Sequence, residues 1–444
     1  MRILLDSCSY NCQNVGDLSM LTVAVSRLRE LWPAASIEVI TNAPALVARH
    51  CGDVKGVPVR GRRLWLDDQL LGPLRKLLPR AVGHRLDRAQ DRLRFRWPRL
   101  FARSLLLKQT VTRRPADDAL RFLNAVEGAD LVVVNGAGIL TDAFKENALG
   151  ILSTLDLAQR REKPTALFGQ GLGPIEDAEL WARAAAVLPR VNQICIRESR
   201  TGPVLLSALG VDHSRVVVTG DDAIEMAFPA DTRDRGVSAP AIGINVRVAP
   251  YAKVEQSMLA LLGRTFKEAA ETYHARMLAI PIAHHGGRMD VETLQHLLAG
   301  DDGGAGLETP RQVIDRIGQC RVMITGSYHG AVFALAQGIP VVALARSEYY
   351  VDKMAGVADQ FGLGCEIVRL DEDDLHGRLR AAIDRAWASA EHVREPLLAA
   401  AADQVRRGRN AYSQLRNFVA APRGALGSDP VVQHRQGESH LIHQ

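Results

Sequence analysis

The sequence is poor in cysteine and in aromatic residues, and it contains no long apolar run. Its six cysteines, Cys8, Cys12, Cys51, Cys195, Cys320 and Cys365, are scattered over 444 residues. Cys8 and Cys12 stand four apart with no second pair and no nearby histidine, which argues against a zinc site. The scatter also argues against a disulfide framework and fits reduced thiols. No segment approaches the roughly 20 consecutive apolar residues that a membrane helix requires. The opening MRILLDSCSYNCQNVGD has too short an apolar stretch for a signal peptide, and its Ile-Leu-Leu reads as a strand. The expected setting is cytoplasmic, at most peripheral to the inner face of the membrane.

What is present points to two folded cores. Apolar residues make up 47% of the chain and charged residues 24%, a globular balance, and 444 residues exceed one ordinary core. Lysine and arginine outnumber the acids by 55 to 50. The excess gathers between residues 60 and 114, where Arg85, Arg88, Arg92, Arg94, Arg96, Arg99 and Arg103 lie. Such a stretch suits an anionic small molecule, nucleic acid or anionic lipid, although a plain solvated arginine-rich helix looks the same. Its aromatics are few (Trp65, Phe95, Trp97 and Phe101) and no nucleic-acid module is apparent, so no nucleic-acid partner is expected.

Short apolar runs alternate with helix-period segments along the chain. Strands are expected near residues 3–5, 37–41, 130–134, 165–168, 193–196 and 216–218. After a polar, Gly- and Pro-bearing stretch at 231–240 they recur at 241–246, 277–282, 322–324 and 341–344. This rhythm means βαβ units and parallel sheets. The expected fold is therefore α/β, with an N-terminal Rossmann-like domain over 1–235 that carries a basic helical insertion at about 55–115. A second Rossmann-like domain is expected over 236–395. A helix beginning at Pro396 and running to 420 is expected to cross back to the first domain, followed by a disordered tail at 421–444.

Each polar motif falls just after an expected strand, at the edge where parallel sheets bind ligands. In Asn14-Val15-Gly16-Asp17, Gly16 lets backbone approach a ligand and Asp17 can cap a helix whose amides attract anions. A plain strand-to-helix turn would carry the same residues. Asn135-Gly136-Ala137-Gly138 is a glycine turn without the third glycine of a dinucleotide fingerprint. Gln170 and Gly171 belong to the tight turn 169–174, with its exposed backbone donors or a purely structural elbow. Arg197 can fork onto a carboxylate or phosphate, or pair with an acid such as Glu198. Asp221 can orient hydroxyls or cap a helix. Arg247 is a further anion contact, and of the adjacent His284 and His285 at most one faces a cleft.

The sharpest segment is Ser327-Tyr328-His329-Gly330, ahead of the helical AVFALAQG. A histidine at a helix mouth can deliver a proton and stand beside a phosphate held by the helix amides, or it can merely cap the helix. Tyr349, Tyr350 and Lys353 can reach the same place or lie in an exposed loop.

In order, NVGDLSML, DLVVVNGAGILTD, LFGQGLGP, ICIRESRTGPVLLSALGV, VVVTGDDAIEMA, AIGINVR and ITGSYHGAVFALAQGIPVVAL resemble the polysaccharide pyruvyl transferase family from residue 14 to about 344. The resemblance implies a glycosyltransferase-B-like pair of domains facing a cleft. It implies transfer of pyruvate from phosphoenolpyruvate to two hydroxyls of a sugar, as a ketal, in cell-surface or exopolysaccharide synthesis. The acceptor would be a sugar or a lipid-linked glycan; phosphoenolpyruvate is a co-substrate, and neither cofactor nor metal is expected.

By motif, His329 falls on the family's general acid and Arg197 on a donor-binding arginine. Arg247, Ser327, Tyr328, Gly330 and Lys353 would complete the donor site, and Asn14, Gly16, Asp17, Gly136, Gly138, Gln170, Gly171, Asp221 and His284 or His285 would line the cleft. Many members carry an arginine and an aliphatic residue before the histidine, where this chain has Ser327-Tyr328. The lost cation would have to come from Arg247, Lys353 or an arginine of the insertion. A nucleotide-sugar glycosyltransferase of the same fold is the alternative. It would want a ribose-holding acid after residue 344, where Glu348 and Asp352 stand. A non-catalytic sugar- or nucleotide-binding protein is the third reading, and it needs no convergence of His329 with two arginines.

Overall fold

The computed structural model describes residues 1–7, 9–67, 80–111, 117–229, 240–248, 256–284, 290–298 and 300–420. The first half runs β1 (Arg2–Asp6), α1 (Val15–Leu31), β2 (Ser36–Thr41), α2 (Pro44–Cys51), β3 (Lys55–Pro58), α3 (Val59–Asp67), α4 (Arg80–Arg96), α5 (Pro98–Val111) and α6 (Asp117–Gly128). It continues with β4 (Leu131–Asn135), α7 (Lys145–Gln159), β5 (Thr165–Gln170), α8 (Ala178–Val187), β6 (Gln193–Ile196), α9 (Gly202–Ala208), β7 (Val216–Val218) and α10 (Ala223–Ala227). The second half holds β8 (Ala241–Asn245), α11 (Gln256–Thr272), β9 (Arg276–Ala279), α12 (Asp290–Leu297), α13 (Pro310–Ile317), β10 (Val322–Thr325) and α14 (Tyr328–Ala336). Last come β11 (Val341–Ala345), α15 (Glu348–Phe361), β12 (Cys365–Arg369) and α16 (Leu375–Ala420).

The strands form two wholly parallel sheets, in the orders β3-β2-β1-β4-β5-β6-β7 and β12-β11-β10-β8-β9. Central strands such as LVVVN and AIGIN are buried along their whole length, because helices cover both faces of a parallel sheet. Chain direction across each sheet reverses beside its central strands, between β1 and β4 and between β8 and β10. Those switch points leave crevices at the carboxyl edge.

The halves are fastened together. The Val15 amide donates to the Ile282 carbonyl at 3.0 Å, and the His284 amide to Gln13 at 2.8 Å. Val15, Met20, Ile224 and Ala227 share one apolar cluster with Tyr328, Val332 and Phe333 of α14.

Two sequence expectations need correction. Residues 55–58 are not insertion but the edge strand β3; its KGVP has a glycine and a terminal proline, so it lacks an apolar signature. Pro396 does not begin a helix: it stands inside α16, where buried Val393, Leu397 and Leu398 carry the helix past the missing amide. The far end of α16 does lie against the first sheet, with Tyr412 stacked on Phe168 at 3.7 Å between ring centroids. The stretch 231–239 and the tail 421–444 lie outside the described residues.

A buried ionic knot holds that end. Arg27 of α1 meets Asp222 at 2.6 Å and Glu225 at 2.5 Å, and the Tyr412 hydroxyl donates to Asp222 at 2.9 Å. Removing the cation strands a buried carboxylate, so Arg27→Met is expected to cost roughly 3–5 kcal/mol in urea unfolding. A loss below about 1 kcal/mol, the worth of an exposed pair, would contradict this account of the knot.

Candidate active site

A cavity of about 300 Å³ lies where the two carboxyl edges meet. The loop after β1 supplies Ser9, Tyr10, Asn11, Gln13 and Asn14, and the first turn of α1 supplies Asp17; the turn after β4 supplies Ala137, Gly138 and Ile139. Asn42, Arg63 of α3, Phe144, Asn147 and Arg197 complete the first-domain wall. From the second domain come Arg247, Ala283, Ser327, Tyr328, His329, Tyr349, Tyr350 and Lys353. Loops flanking both switch points therefore contribute.

Arg197 directly follows β6 and is 3% exposed. Its Nη1 stands 3.4 Å from Asp221 Oδ2, and its Cζ lies 4.0 Å from the centre of the Tyr328 ring. Burial works against its charge, but Tyr328 and Asp221 outweigh that and keep it above the usual guanidinium range. Burial pushes Asp221 up to about 6 against the pull of Arg197, so it is still mostly carboxylate near neutrality and offsets the cation. A Cβ at Gly138 would fall 2.8 Å from Arg197 Nη2, and one at Gly171 2.6 Å. These two glycines make room for the protein's own guanidinium.

His329 sits in the first turn of α14, a helix buried throughout. The N-cap is Ser327, whose amide donates to Thr325 Oγ1 at 2.9 Å while its own hydroxyl makes no capping bond. His329 stands between two carboxylates, Nδ1 4.0 Å from Asp17 and Nε2 3.8 Å from Asp221, both beyond hydrogen-bond length. Burial, then Arg197 and Lys353, hold the imidazole well below its ordinary pKa. Its neutral form is favoured there. An added anion would favour its charged form.

Lys353 reaches in from α15 over three tyrosine rings, 5.3 Å from Tyr328, 5.5 Å from Tyr349 and 5.6 Å from Tyr350. Burial, then Arg197, lower its pKa to about 7. Arg247 binds Asp290 at 2.8 Å, and Asp290 also accepts from Asn245 and from the Ile282 and Ala283 amides, each at 3.0 Å. That one carboxylate thus ties the loop carrying Arg247 to the segment that docks on α1.

The structure brings Asn14, Asp17, Gly138, Arg197, Arg247, Ser327, Tyr328, His329 and Lys353 to the cavity wall, and other sequence candidates stand behind it. The N-cap of α1 is Asn14, not Asp17; its side chain accepts from the Gly16 and Asp17 amides, leaving the Asp17 carboxylate to face the cavity. Gly16 meets no ligand: its Cβ would fall 1.9 Å from His329 Cγ. Gly136 is pressed against Gly169 and Met20, and Gly330 against Thr325. Gln170 is buried beneath the turn with its amide on the Phe168 carbonyl at 3.2 Å, and Asp221 backs Arg197. His284 is held by its backbone on Gln13 and is absent from the wall, and His285 lies outside the described residues. Sequence reasoning missed Ser9, Tyr10, Asn11, Gln13, Asn42, Phe144 and Asn147. The polar run after β1 was the available signal for the first four. No group of metal-ligating side chains occurs among the described residues.

The sequence profile of the polysaccharide pyruvyl transferase family matches residues 14–348. The chain belongs to that family. Among solved structures, this family member is similar to the UDP-GlcNAc 2-epimerase from Methanocaldococcus jannaschii, with TM-score 0.55 and 10% identity over 94% of this chain and 99% of the other. The MnaA–UDP structure from S. aureus gives 0.54 and 14% over 94% and 97%, and a glycosyltransferase from Rickettsia africae 0.50 and 11% over 94% and 97%. At such identities the likeness establishes the fold, two Rossmann-like domains in the glycosyltransferase-B arrangement. Curated protein sequences give no match.

The contact at Gly16 is testable without substrate. Gly16→Ala is expected to cost about 1–3 kcal/mol through overpacking and to displace the His329 ring. Thermal unfolding and the histidine NMR resonances would report it. An unchanged melting point with unmoved imidazole signals would contradict the packing.

Proposed function

We propose that this protein transfers the pyruvyl group of phosphoenolpyruvate onto two hydroxyls of one sugar, releasing phosphate and forming a cyclic ketal. One observation carries the reading: a buried histidine in the first turn of α14 shares one cavity with Arg197, Arg247 and Lys353. Phosphoenolpyruvate offers a phosphate and a carboxylate, and Arg197, Lys353 and Arg247 are groups that can take them. Ser327 leaves vacant the charge that an arginine brings to many relatives, and Lys353 beside Tyr328 supports a relocated cation. The acceptor is a sugar or a lipid-linked glycan, in the making of cell-surface or exopolysaccharide.

The chemistry balances on the residues at hand. Binding the donor's negative charge raises the proton affinity of His329, which then protonates the methylene carbon. The resulting oxocarbenium-like carbon is attacked by one sugar hydroxyl, phosphate departs, and the second hydroxyl closes the ring. The histidine's proton ends in the methyl group. One hydroxyl proton returns to the imidazole and the other leaves with phosphate.

A nucleotide-sugar transferase draws less support. Glu348 is exposed and tied to Arg369 at 2.6 Å, Asp352 is exposed, and neither lines the cavity.

His329→Ala is expected to keep the fold and most donor binding but to lose turnover by about 10²–10⁴-fold, with His329→Gln no better. Phosphate release from phosphoenolpyruvate, with nitrophenyl sugars as acceptors, measures this. Near-native turnover in the alanine variant would reduce His329 to a structural cap. A pH dependence follows from Lys353. Its pKa of about 7 leaves it largely neutral at pH 8, so binding an anion there must take up a proton. Donor affinity should fall as pH rises above 7, and calorimetry in buffers of different ionisation enthalpy should show the uptake. Lys353→Met should diminish both effects; an unchanged profile would remove Lys353 from the donor site.

A further inference from the structure

The basic insertion carries a surface that the cavity does not use. Helices α4 and α5 are anchored from within: Phe101 and Leu105 are buried, the Phe101 ring meets Trp65 edge-on at 5.3 Å, and Arg94 lies 4.9 Å over Phe101. At about 100° per residue, Phe101, Ala102 and Leu105 occupy one side of α5. Leu100 and Leu107 fall on the other side with Arg99 and Arg103, and Trp97, just before the helix, gathers with Arg96, Arg99 and Leu100 around one surface pocket.

That outer side is apolar where a solvent face should be polar. Trp97 is 59% exposed, Leu100 54% and Leu107 71%, and Val82 of α4 adds 42%. The other exposed large apolar side chains among the described residues, Met1 and Val204, belong to other elements. Arg85, Arg92 and Arg96 of α4 and Arg103 of α5 are exposed and have no ion-pair partner among the described residues. Exposed Arg99 shares Glu127 at 2.8 Å, and the exposed Asp91 of α4 is taken by Arg94 at 2.8 Å.

We propose that this face of α4 and α5 docks the protein on a membrane surface rich in anionic phospholipid. Trp97, Leu100 and Leu107 enter the interfacial layer while the arginines meet headgroup phosphates. Charge decides against a second copy of the chain, since a twofold contact would set arginine against arginine, and Asp91 and Glu127 beside this face are already paired. The side chains decide against nucleic acid. One exposed aromatic ring gives a single stacking platform, and exposed leucines match acyl chains better than bases. Trp65 of α3 supports Phe101, and Arg63 of the same helix lines the cavity, so the docking face and one cavity wall share an element. Presentation of a lipid-linked acceptor there rests on the proposed transfer reaction; docking itself does not.

Co-sedimentation of the full chain with vesicles tests this, using phosphatidylcholine alone and with about one third phosphatidylglycerol. The protein should pellet with the anionic vesicles only, and less as salt rises. Trp97→Ser with Leu100→Ser, and separately Arg92→Glu with Arg96→Glu and Arg103→Glu, should each lower the bound fraction by about tenfold or more, with circular dichroism unchanged. Native protein that ignores anionic vesicles overturns the proposal, as do folded variants that bind as well as native. So does a single-stranded oligonucleotide that binds this face where vesicles do not, or a dimer, dissociated by the apolar variant, with no vesicle binding. Phosphate release from phosphoenolpyruvate with a soluble acceptor is read separately, so a failure of docking and a failure of the transfer reading are distinguishable.

Discussion

A guanidinium kept almost out of water sets the terms for everything around it. Arg197 cannot shed its charge, so the site must supply both room and partial neutralisation. Room comes from the missing side chains at Gly138 and Gly171. Neutralisation comes from Asp221 and the Tyr328 ring, although burial has lifted the Asp221 carboxyl to about 6. Burial first, and then the positive charge of Arg197, depress Lys353 and His329. An anion bound beside Arg197 would favour the charged forms of both.

The same parts tie the site to the fold. His329 fits only because position 16 has no side chain, so the first turn of α1 and the first turn of α14 must meet across the domain boundary. The Val15–Ile282 and Gln13–His284 hydrogen bonds fix that meeting, and the apolar cluster behind it joins α1 and α10 to α14. Tyr412 and Arg27 then clamp the end of α16 beneath α10. An imidazole between Asp17 and Asp221 is thus positioned by both domains.

The alternation of strands and helices was legible because a parallel sheet buried on both faces demands near-continuous apolar runs, as in LVVVN. Edge strand β3 was not legible, since a half-solvated edge tolerates Gly56 and Pro58. Pro396 misled because tertiary packing of Leu397 and Leu398 outweighs one lost hydrogen bond. Arg197, Arg247 and His329 could be picked out because polar residues after buried strands have few places to go but the carboxyl edge. Glycines were read less well. The turns at 16, 138 and 171 announced a close approach, but the approaching groups are His329 and Arg197, contacts more than 20 residues away along the chain that no local pattern specifies. Asn42, Phe144 and Asn147 enter the wall for the same reason, through folding that brings distant loops together.

The central claim is that this cavity takes a small, multiply charged carboxylate-phosphate instead of a nucleotide. Calorimetric titration of the unmodified protein with phosphoenolpyruvate, beside a titration with UDP, tests it most directly. Saturable binding of phosphoenolpyruvate at one site, unaffected by UDP and abolished in Arg197→Ala, is the predicted result. Saturable binding of UDP with no heat from phosphoenolpyruvate would contradict it.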